Sequence, residues 1–532
     1  MSEQEQLKNQ PEVKKRLRRA SRIVRSVWIT LLSMLLAVSL FLQAPWKVTT
    51  LVFIFLLAAI ILPRAYRKWF WAVIGCAGAA IIVWVFLPED SKGWRPYTFD
   101  KELAALEAKY AIPDDENAAV IYNKLIEDYE TDSFFAGLTM SEFAKLPLLD
   151  PWSSDKNPEI PTWLEGHQTT ISRLQSTSQI ARCRFSITSD FANLGGMIFR
   201  LQMMERWAYL LISAANNDMA EKRIKEGLDK YIAALQIGKH QNQQLSQAEF
   251  MVGSGIERSS TNQLKRFAAV GPVTEEQLNI IENSLAEIEH NWSDDLSKML
   301  DYEKLLTKNF WRRYYEVNPG GQMRFARGSA YIKMEQLPQD VNDGPLTTYW
   351  HKSLTKARSL SYWLYMPSTP NQAGEVIDKA YERCYAMAEP DFNWAEGPRE
   401  ISINSIKFNY SYIVAMQLDM IEPIYYNIHN VYFRTITQER GARLIVALRR
   451  YKNKNGTWPM NLDDVRPLAK EEIFVDPTNG SSFIYKLTDE GFTLYSKGKN
   501  NIDDGGEYNS DDWDVWPPIG LKHKVRKKKT DV

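Results

Sequence analysis

Three apolar runs crowd into the first ninety residues and constrain this chain more than anything after them. They cover residues 27–42, 48–62 and 69–87, and the only ionisable side chain inside them is Cys76. A helix that crosses a bilayer needs roughly 17–25 mostly apolar residues, counting tolerant flanks. The first and third runs meet that length. The second is short and is bracketed by Pro45 and Pro63. A signal peptide would account for the first run alone, but two further runs follow it. No small-residue cleavage site stands out after Leu42. Buried core helices would be expected to carry some ionisable side chains. The expectation is three transmembrane helices over residues 27–88, behind a basic cytoplasmic N-terminus at 1–26.

Direction follows from the basic residues. Lys14, Lys15, Arg16, Arg18, Arg19, Arg22 and Arg25 precede the first run, and Arg64, Arg67 and Lys68 separate the second from the third. Only Lys47 lies between the first and second. Positive charge is retained on the cytoplasmic side. Three crossings then place everything after Pro88 outside, periplasmic to a bacterial inner membrane. If the second run does not cross, the remainder stays in the cytoplasm.

The remainder is long enough for more than one domain. The first 88 residues hold twelve Lys/Arg against three Asp/Glu; in a chain with 65 of each, the rest is left with a net charge of −9. That argues against nucleic acid as a partner and leaves membrane lipid and envelope proteins. Seventeen Trp and 25 Tyr provide for a sizeable core. Cys183 and Cys384 are either one disulfide or two buried thiols, since spacing does not fix their separation.

Residues 89–431 read as a mainly α-helical soluble domain. Ala118, Ile121, Tyr122, Leu125 and Ile126 fall on one helical stripe. A Pro-rich stretch, 134–161, reads as loop. Residues 199–216 and 219–237 read as two helices with Asn217-Asp218 as the turn. That pair resembles one tetratricopeptide-type hairpin through Gly227, Tyr231, Ala234 and Leu235, with no second copy at a fixed period. Thr274 and Gln277 have capping-box spacing. Asn318–Gly321 and Gly344-Pro345 mark loops.

Chemistry is sparse in this stretch. His167, His240, His290, His351 and His429 stand singly and read as surface or satisfied histidines. Gly253-Ser254-Gly255 lacks the strand–turn–helix setting of a nucleophile elbow and reads as a close helix contact. Asp294-Asp295 reads as a solvated helix start, with a hydrolytic carboxylate pair left open. No catalytic or cofactor-binding residue is assigned.

The last hundred residues change character. A helix over 435–453, with Ala442, Ile445, Val446 and Leu448 on its apolar side, ends at Asn455-Gly456. Strands are expected at 483–487 and 492–496 around Asp489-Glu490-Gly491. Asn500, Asn501, Asp503, Asp504, Asp511, Asp512 and Asp514 then gather about Gly505-Gly506. Calcium takes six to eight hard oxygen ligands on a loop that can wrap it. The metal ligands expected are Asn501, Asp503, Asp504, Asp511 and Asp512; the other reading is a solvated acidic loop.

The phrases ALRRYKNKNGTWP, VDPTNGSSFIYKL, GFTLYSKG and DDGG…DDWD, in that order, resemble the globular domain of the major pseudopilin of type II secretion. The resemblance covers about eighty to ninety residues and implies a small α+β module with a short antiparallel sheet, here 432–518, and calcium in its acidic loop. Asp511 and Asp512 match the family's late acidic pair; an Asn stands where the family has its first loop Asp. A pseudopilin carries its cleavage phrase and assembly helix at the N-terminus. Here Gly491-Phe492-Thr493-Leu494 is followed by no apolar span, so fibre assembly is not implied and the module reads as borrowed. The whole chain also resembles a broad class of bacterial membrane proteins with this ending behind a helical ectodomain.

The basic tail, 519–532, reads as a solvated end or as a contact with anionic lipid. Two functions remain. One is a non-enzymatic membrane-anchored scaffold or interaction protein of the bacterial envelope with a calcium-stabilised module. The other is an extracytoplasmic hydrolase whose site forms only in three dimensions; a pocket with convergent carboxylates or a perturbed histidine would favour it. The direction of the chain is tested by a periplasm-active reporter fused after residue 95. Activity outside is expected, and a reporter active only in the cytoplasm overturns the topology.

Overall fold

In the computed structural model the described residues are 76, 93–131, 147–156, 159–187, 194–288, 290–312, 315–325, 370–389, 392, 394, 412–489, 491–506 and 511–518. The apolar runs (Cys76 apart), His351, Gly344-Pro345 and the basic tail lie outside them. Among the described residues no helix is long and apolar enough to cross a membrane. The described structure is mainly helical, with a small antiparallel sheet near the C-terminus, as expected.

The elements run β1 (Arg95–Pro96), α1 (Asp100–Lys109), α2 (Ala118–Thr131), α3 (Glu159–Gly166), α4 (Gln168–Thr177) and α5 (Leu194–Ala220). Next come α6 (Ile224–Asn242), α7 (Gln247–Val270), α8 (Glu275–Ala286), α9 (Trp292–Arg312), β2 (Tyr315–Val317) and β3 (Met323–Phe325). The chain closes with α10 (Pro370–Ala386), α11 (Tyr412–Asn455), β4 (Ile484–Thr488), β5 (Gly491–Ser496) and β6 (Trp513–Trp516). Two compact units result: Met1–Thr98 with Thr307–Glu382 and Pro398–Pro423, and Phe99–Leu306 with Arg383–Gly397 and Ile424–Val532.

In the first unit, β1, β2 and β3 form an antiparallel sheet in that order. Strands of two or three residues are too short to leave a period-two pattern, so this sheet is not foreseen. Asn318–Gly321 is the β2–β3 turn: the Gly321 N–H donates to the Asn318 carbonyl at 2.9 Å, with Gly321 at φ +77°. A positive φ carries no Cβ penalty for glycine.

In the second unit α5, α6 and α7 pack most extensively on one another. Met203, Met204, Leu210, Leu211, Leu228 and Ile237 are among the buried side chains they contribute. Gly227, Tyr231, Ala234 and Leu235 are all buried on α6. The turn between α5 and α6 comes later than Asn217-Asp218, because tertiary partners hold those residues in the helix. Asn217 Nδ2 donates to the Trp152 carbonyl, and Lys230 and Arg223 both pair with Asp218. The chain reverses instead at Lys222, which sits at φ +65°.

Helix starts follow capping chemistry. Thr274 and Gln277 form the expected capping box on α8, and Ser246 with Glu249 forms another on α7. Each cap stabilises its helix by about 1 kcal/mol.

Small residues set the α6–α7 spacing. A Cβ on Gly253 would lie 2.8 Å from the Gly238 carbonyl oxygen; one on Gly238 would lie 2.8 Å from the Glu257 nitrogen. Gly253 is thus the close helix contact expected of it. Gly255, two residues on, has nothing within 4 Å of its would-be Cβ.

The C-terminal region shares the core of α2–α8. Helix α11 runs without a break across the boundary expected at 431/432. Its Leu444, Ile445, Val446 and Leu448 are fully buried, each contributing about 1.5–3 kcal/mol. Arg449 donates from Nε to the Ala268 carbonyl at 2.6 Å and also bonds Ala269, satisfying carbonyls at the end of α7. Buried Lys265 on α7 donates to Gln438 and, at 3.2 Å, to the Val515 carbonyl, so β6 is tied to the helical body. Strands β4, β5 and β6 form the antiparallel sheet in sequence order, with a register shift at Leu494/Tyr495.

Opposite outcomes are expected for two alanine substitutions on α7. Gly253→Ala forces the crossing apart and lowers unfolding free energy by about 1–3 kcal/mol. Gly255→Ala gains helix propensity and raises it by up to about 1 kcal/mol. Thermal melts of the two variants read this directly, and equal behaviour rejects the close crossing.

Candidate functional site

The expected metal ligands lie where the chain passes from β5 to β6. Asn500 accepts from the Ile502 N–H at 2.9 Å, and Asn501 is left-handed at φ +56°. Asp503 Oδ1 accepts from the Tyr495 hydroxyl at 2.6 Å and from the Gly505 N–H at 2.9 Å. Across the loop, Asp511 Oδ2 accepts from the Asn500 N–H at 2.8 Å and Asp512 Oδ2 from the Gly506 N–H at 2.7 Å. The structure therefore brings Asp503, Asp511 and Asp512 into one loop, folded by carboxylate bonds to its own backbone.

The electrostatics differ within the loop. The Tyr495 hydroxyl bond holds the Asp503 carboxyl below its ordinary range. Burial pushes Asp512 up, and the carboxylates of Asp504 and Asp503 push it further. Among the described residues no three His, Cys, Asp or Glu side chains are grouped closely enough to hold a metal ion. Glu507, Asn509 and Ser510 of the same loop lie outside the described residues. The described oxygens are thus at most part of a calcium site.

A second site, not expected from the sequence, forms where α6 and α7 cross. Each glycine of the crossing is followed one turn later by a polar residue: Gly238 by Asn242, and Gly253 by Glu257. Residues four apart lie on one helix face, so the contact that admits the glycines also brings Asn242 and Glu257 to its edge. Both line a cavity of about 400 Å³, together with Arg184, Lys239, His290 and Asp295.

Glu257 is 1% exposed, and neither carboxylate oxygen has a hydrogen-bond partner among the described residues. His290 Nε2 stands 3.5 Å from Glu257 Oε2, an ion-pair distance rather than a hydrogen bond. Burial works against the His290 imidazolium, but Glu257, Asp295 and Glu439 outweigh it and hold its pKa above the ordinary value. Asp295 is pushed up by burial and accepts from the Tyr432 hydroxyl at 3.2 Å. Both side-chain polar atoms of Asn242 are buried without a partner among the described residues, as are Nε and Nη2 of Arg184.

His240 shows what a satisfied histidine looks like in the same core. The Tyr122 hydroxyl donates to Nδ1 at 3.0 Å, and the Nε2–H donates to the Ile180 carbonyl at 2.7 Å. Burial lowers its pKa to about 4, so the ring is neutral. His240 thus fits the expectation for scattered histidines, and His290 departs from it. Asp294 and Asp295 also divide: Asp294 bonds the exposed Asn291 side chain, while Asp295 turns inward. Cys183 borders the cavity as a free buried thiol, and burial pushes its pKa far up, so it stays protonated. Cys384 is also free and buried, so the two cysteines are not bridged.

Comparison with protein-family models, curated protein sequences and solved structures gives no match.

Proposed function

We propose that this chain is a membrane-anchored protein of the bacterial envelope whose extracytoplasmic helical body captures a small polar molecule. The observation that carries capture is the set of buried polar atoms around one cavity that make no hydrogen bond among the described residues: Asn242 Oδ1 and Nδ2, both oxygens of Glu257, and His290 Nε2. A buried polar atom left unbonded costs about 1–3 kcal/mol. Several at one cavity are the arrangement a ligand or ordered water would satisfy. Anchoring in membrane lipid and the outward direction rest on the apolar runs and the basic residues between them.

Hydrolysis is the second reading, favoured by the Glu257–His290 pair. In that reading Glu257 takes a proton from the attacking water, and as the substrate bond breaks the His290 imidazolium gives its own proton to the leaving group. Cys183 is not the nucleophile, because a thiolate is the reactive form and burial suppresses it. The scaffold reading keeps its place in the C-terminal region, where the order of helix, hairpin and acidic loop supports the pseudopilin likeness. There a calcium ion would relieve the repulsion of Asp503 and Asp504 on Asp512.

Capture is tested by thermal-shift screening of the detergent-solubilised full chain against small polar compounds: sugars, polyamines, amino acids and short-chain organic acids. At least one class is expected to raise the melting temperature of the parent and not of Glu257→Gln. Equal shifts in both, or none in the parent, reject the cavity as a capture site.

Calcium is tested on the full chain as well, because the C-terminal region shares its core with the helical body. The melting temperature is expected to be higher in calcium than in chelator. At free calcium about a hundred times the dissociation constant the gain would be roughly 2.7 kcal/mol. The calcium-dependent part should vanish in Asp511→Ala/Asp512→Ala. A parent that melts identically in both buffers leaves an acidic turn without metal.

A further inference from the structure

The cavity at the α6–α7 crossing is deficient in partners of both signs. On the acidic side, both Glu257 oxygens are buried and lack hydrogen bonds among the described residues, and the one cation at ion-pair distance, His290, stands 3.5 Å off. Asp295 adds a second buried carboxyl on the same lining. On the basic side, Arg184 is 9% exposed, with Nε and Nη2 unbonded among the described residues; Glu249 and Glu107 act on it electrostatically but stand beyond ion-pair distance. Lys239 directs its ammonium to a neutral group, the Glu287 carbonyl, at 2.7 Å. Other lining cations already have acids: Lys109 pairs with Asp301, Arg182 with Glu116 and Lys298 with Asp295.

A buried carboxylate without donors calls for a cation, and a buried guanidinium without acceptors calls for an anion. A neutral sugar would offer hydroxyls to both but compensate neither charge. A simple amine would serve Glu257 and leave Arg184 bare; a simple carboxylate would do the reverse. One molecule bearing both charges serves the two together. Asn242, on the same lining and with a donor and an acceptor unbonded among the described residues, would suit the peptide or hydroxyl group between them.

We propose that this cavity binds a small zwitterion, an amino acid or short peptide, with its ammonium on Glu257 and its carboxylate on Arg184 and Lys239. The proposal rests on the capture reading and narrows it to one chemical class. The volume of about 400 Å³ falls within the range of ligand pockets.

The experiment is isothermal calorimetry of the detergent-solubilised full chain with free amino acids and with dialanine, beside N-acetylated and C-amidated forms of the same molecules. The expected result is binding of the free forms, weakened at least about tenfold by either cap. Glu257→Gln should lose the preference for a free amine while keeping that for a free carboxylate; Arg184→Gln should do the opposite. The caps test the proposal on the parent protein, so a variant that fails to fold does not decide it. Equal affinity for capped and free forms overturns the zwitterion. Two further probes, putrescine and inorganic phosphate, separate the layers. If either binds in a Glu257-dependent manner and no zwitterion does, the ligand class is wrong and capture stands. If none of the probes binds, the zwitterion proposal falls, and the wider compound screen decides capture on its own.

Discussion

The contact between Gly238 and Gly253 is the constraint on which the candidate site depends. Two helices with side chains at their crossing stand about 8–10 Å apart, and here even a Cβ would meet backbone atoms within 3 Å. At that separation Asn242 lies over Gly253 and the Glu257 backbone lies against Gly238. The polar residues one turn further along are carried into the interior. Glu257 is therefore buried by backbone geometry, and the one cation at ion-pair distance among the described residues, His290, stands 3.5 Å off without a hydrogen bond. Protein cores seldom keep a carboxylate in this state unless something outside the chain completes it.

A different set of interactions joins the C-terminal region to the body. Arg449 satisfies carbonyls at the end of α7 and stands 4.7 Å from the ring of Trp458. Arg450 reaches Glu275, Glu282 and Asn279 on α8, and Asn453 donates to the Val273 carbonyl at 2.8 Å. Lys265 is buried enough that its pKa falls to about 7, yet it holds Gln438 and the Val515 carbonyl together. The module that reads as an appendage in the sequence is in this unit a wall of the same core.

What was legible in the sequence had a short-range cause. The capping box at Thr274 and Gln277, the strands around Asp489-Glu490-Gly491 and the apolar side and C-terminal end of α11 follow from local chemistry and lie within a residue or two of their expected places, whereas α11 begins at Tyr412 and not at 435. What was not legible had a long-range cause. Asn217-Asp218 has a turn's composition, but Trp152, Arg223 and Lys230 keep it helical. His290 and Asp295 resemble any exposed pair until α7 and α11 close over them. One signal could have been found earlier: Gly238-x-x-x-Asn242 and Gly253-x-x-x-Glu257 repeat one spacing on successive helices, a small residue followed one turn later by a polar one.

The join between α7 and α11 also sets an order in time. Val270 ends α7, and Arg449 of α11, which bonds that end, follows about 180 residues later. At synthesis rates of about 5–20 residues per second, roughly ten to thirty seconds separate them. Over that interval α7 ends in carbonyls that Arg449 has not yet reached, and the α7–α8 surface has no α11 upon it. The newborn chain must hold an unfinished core until α11 arrives, so in this protein that helix acts as the keystone of the unit, bearing on the helices made before it.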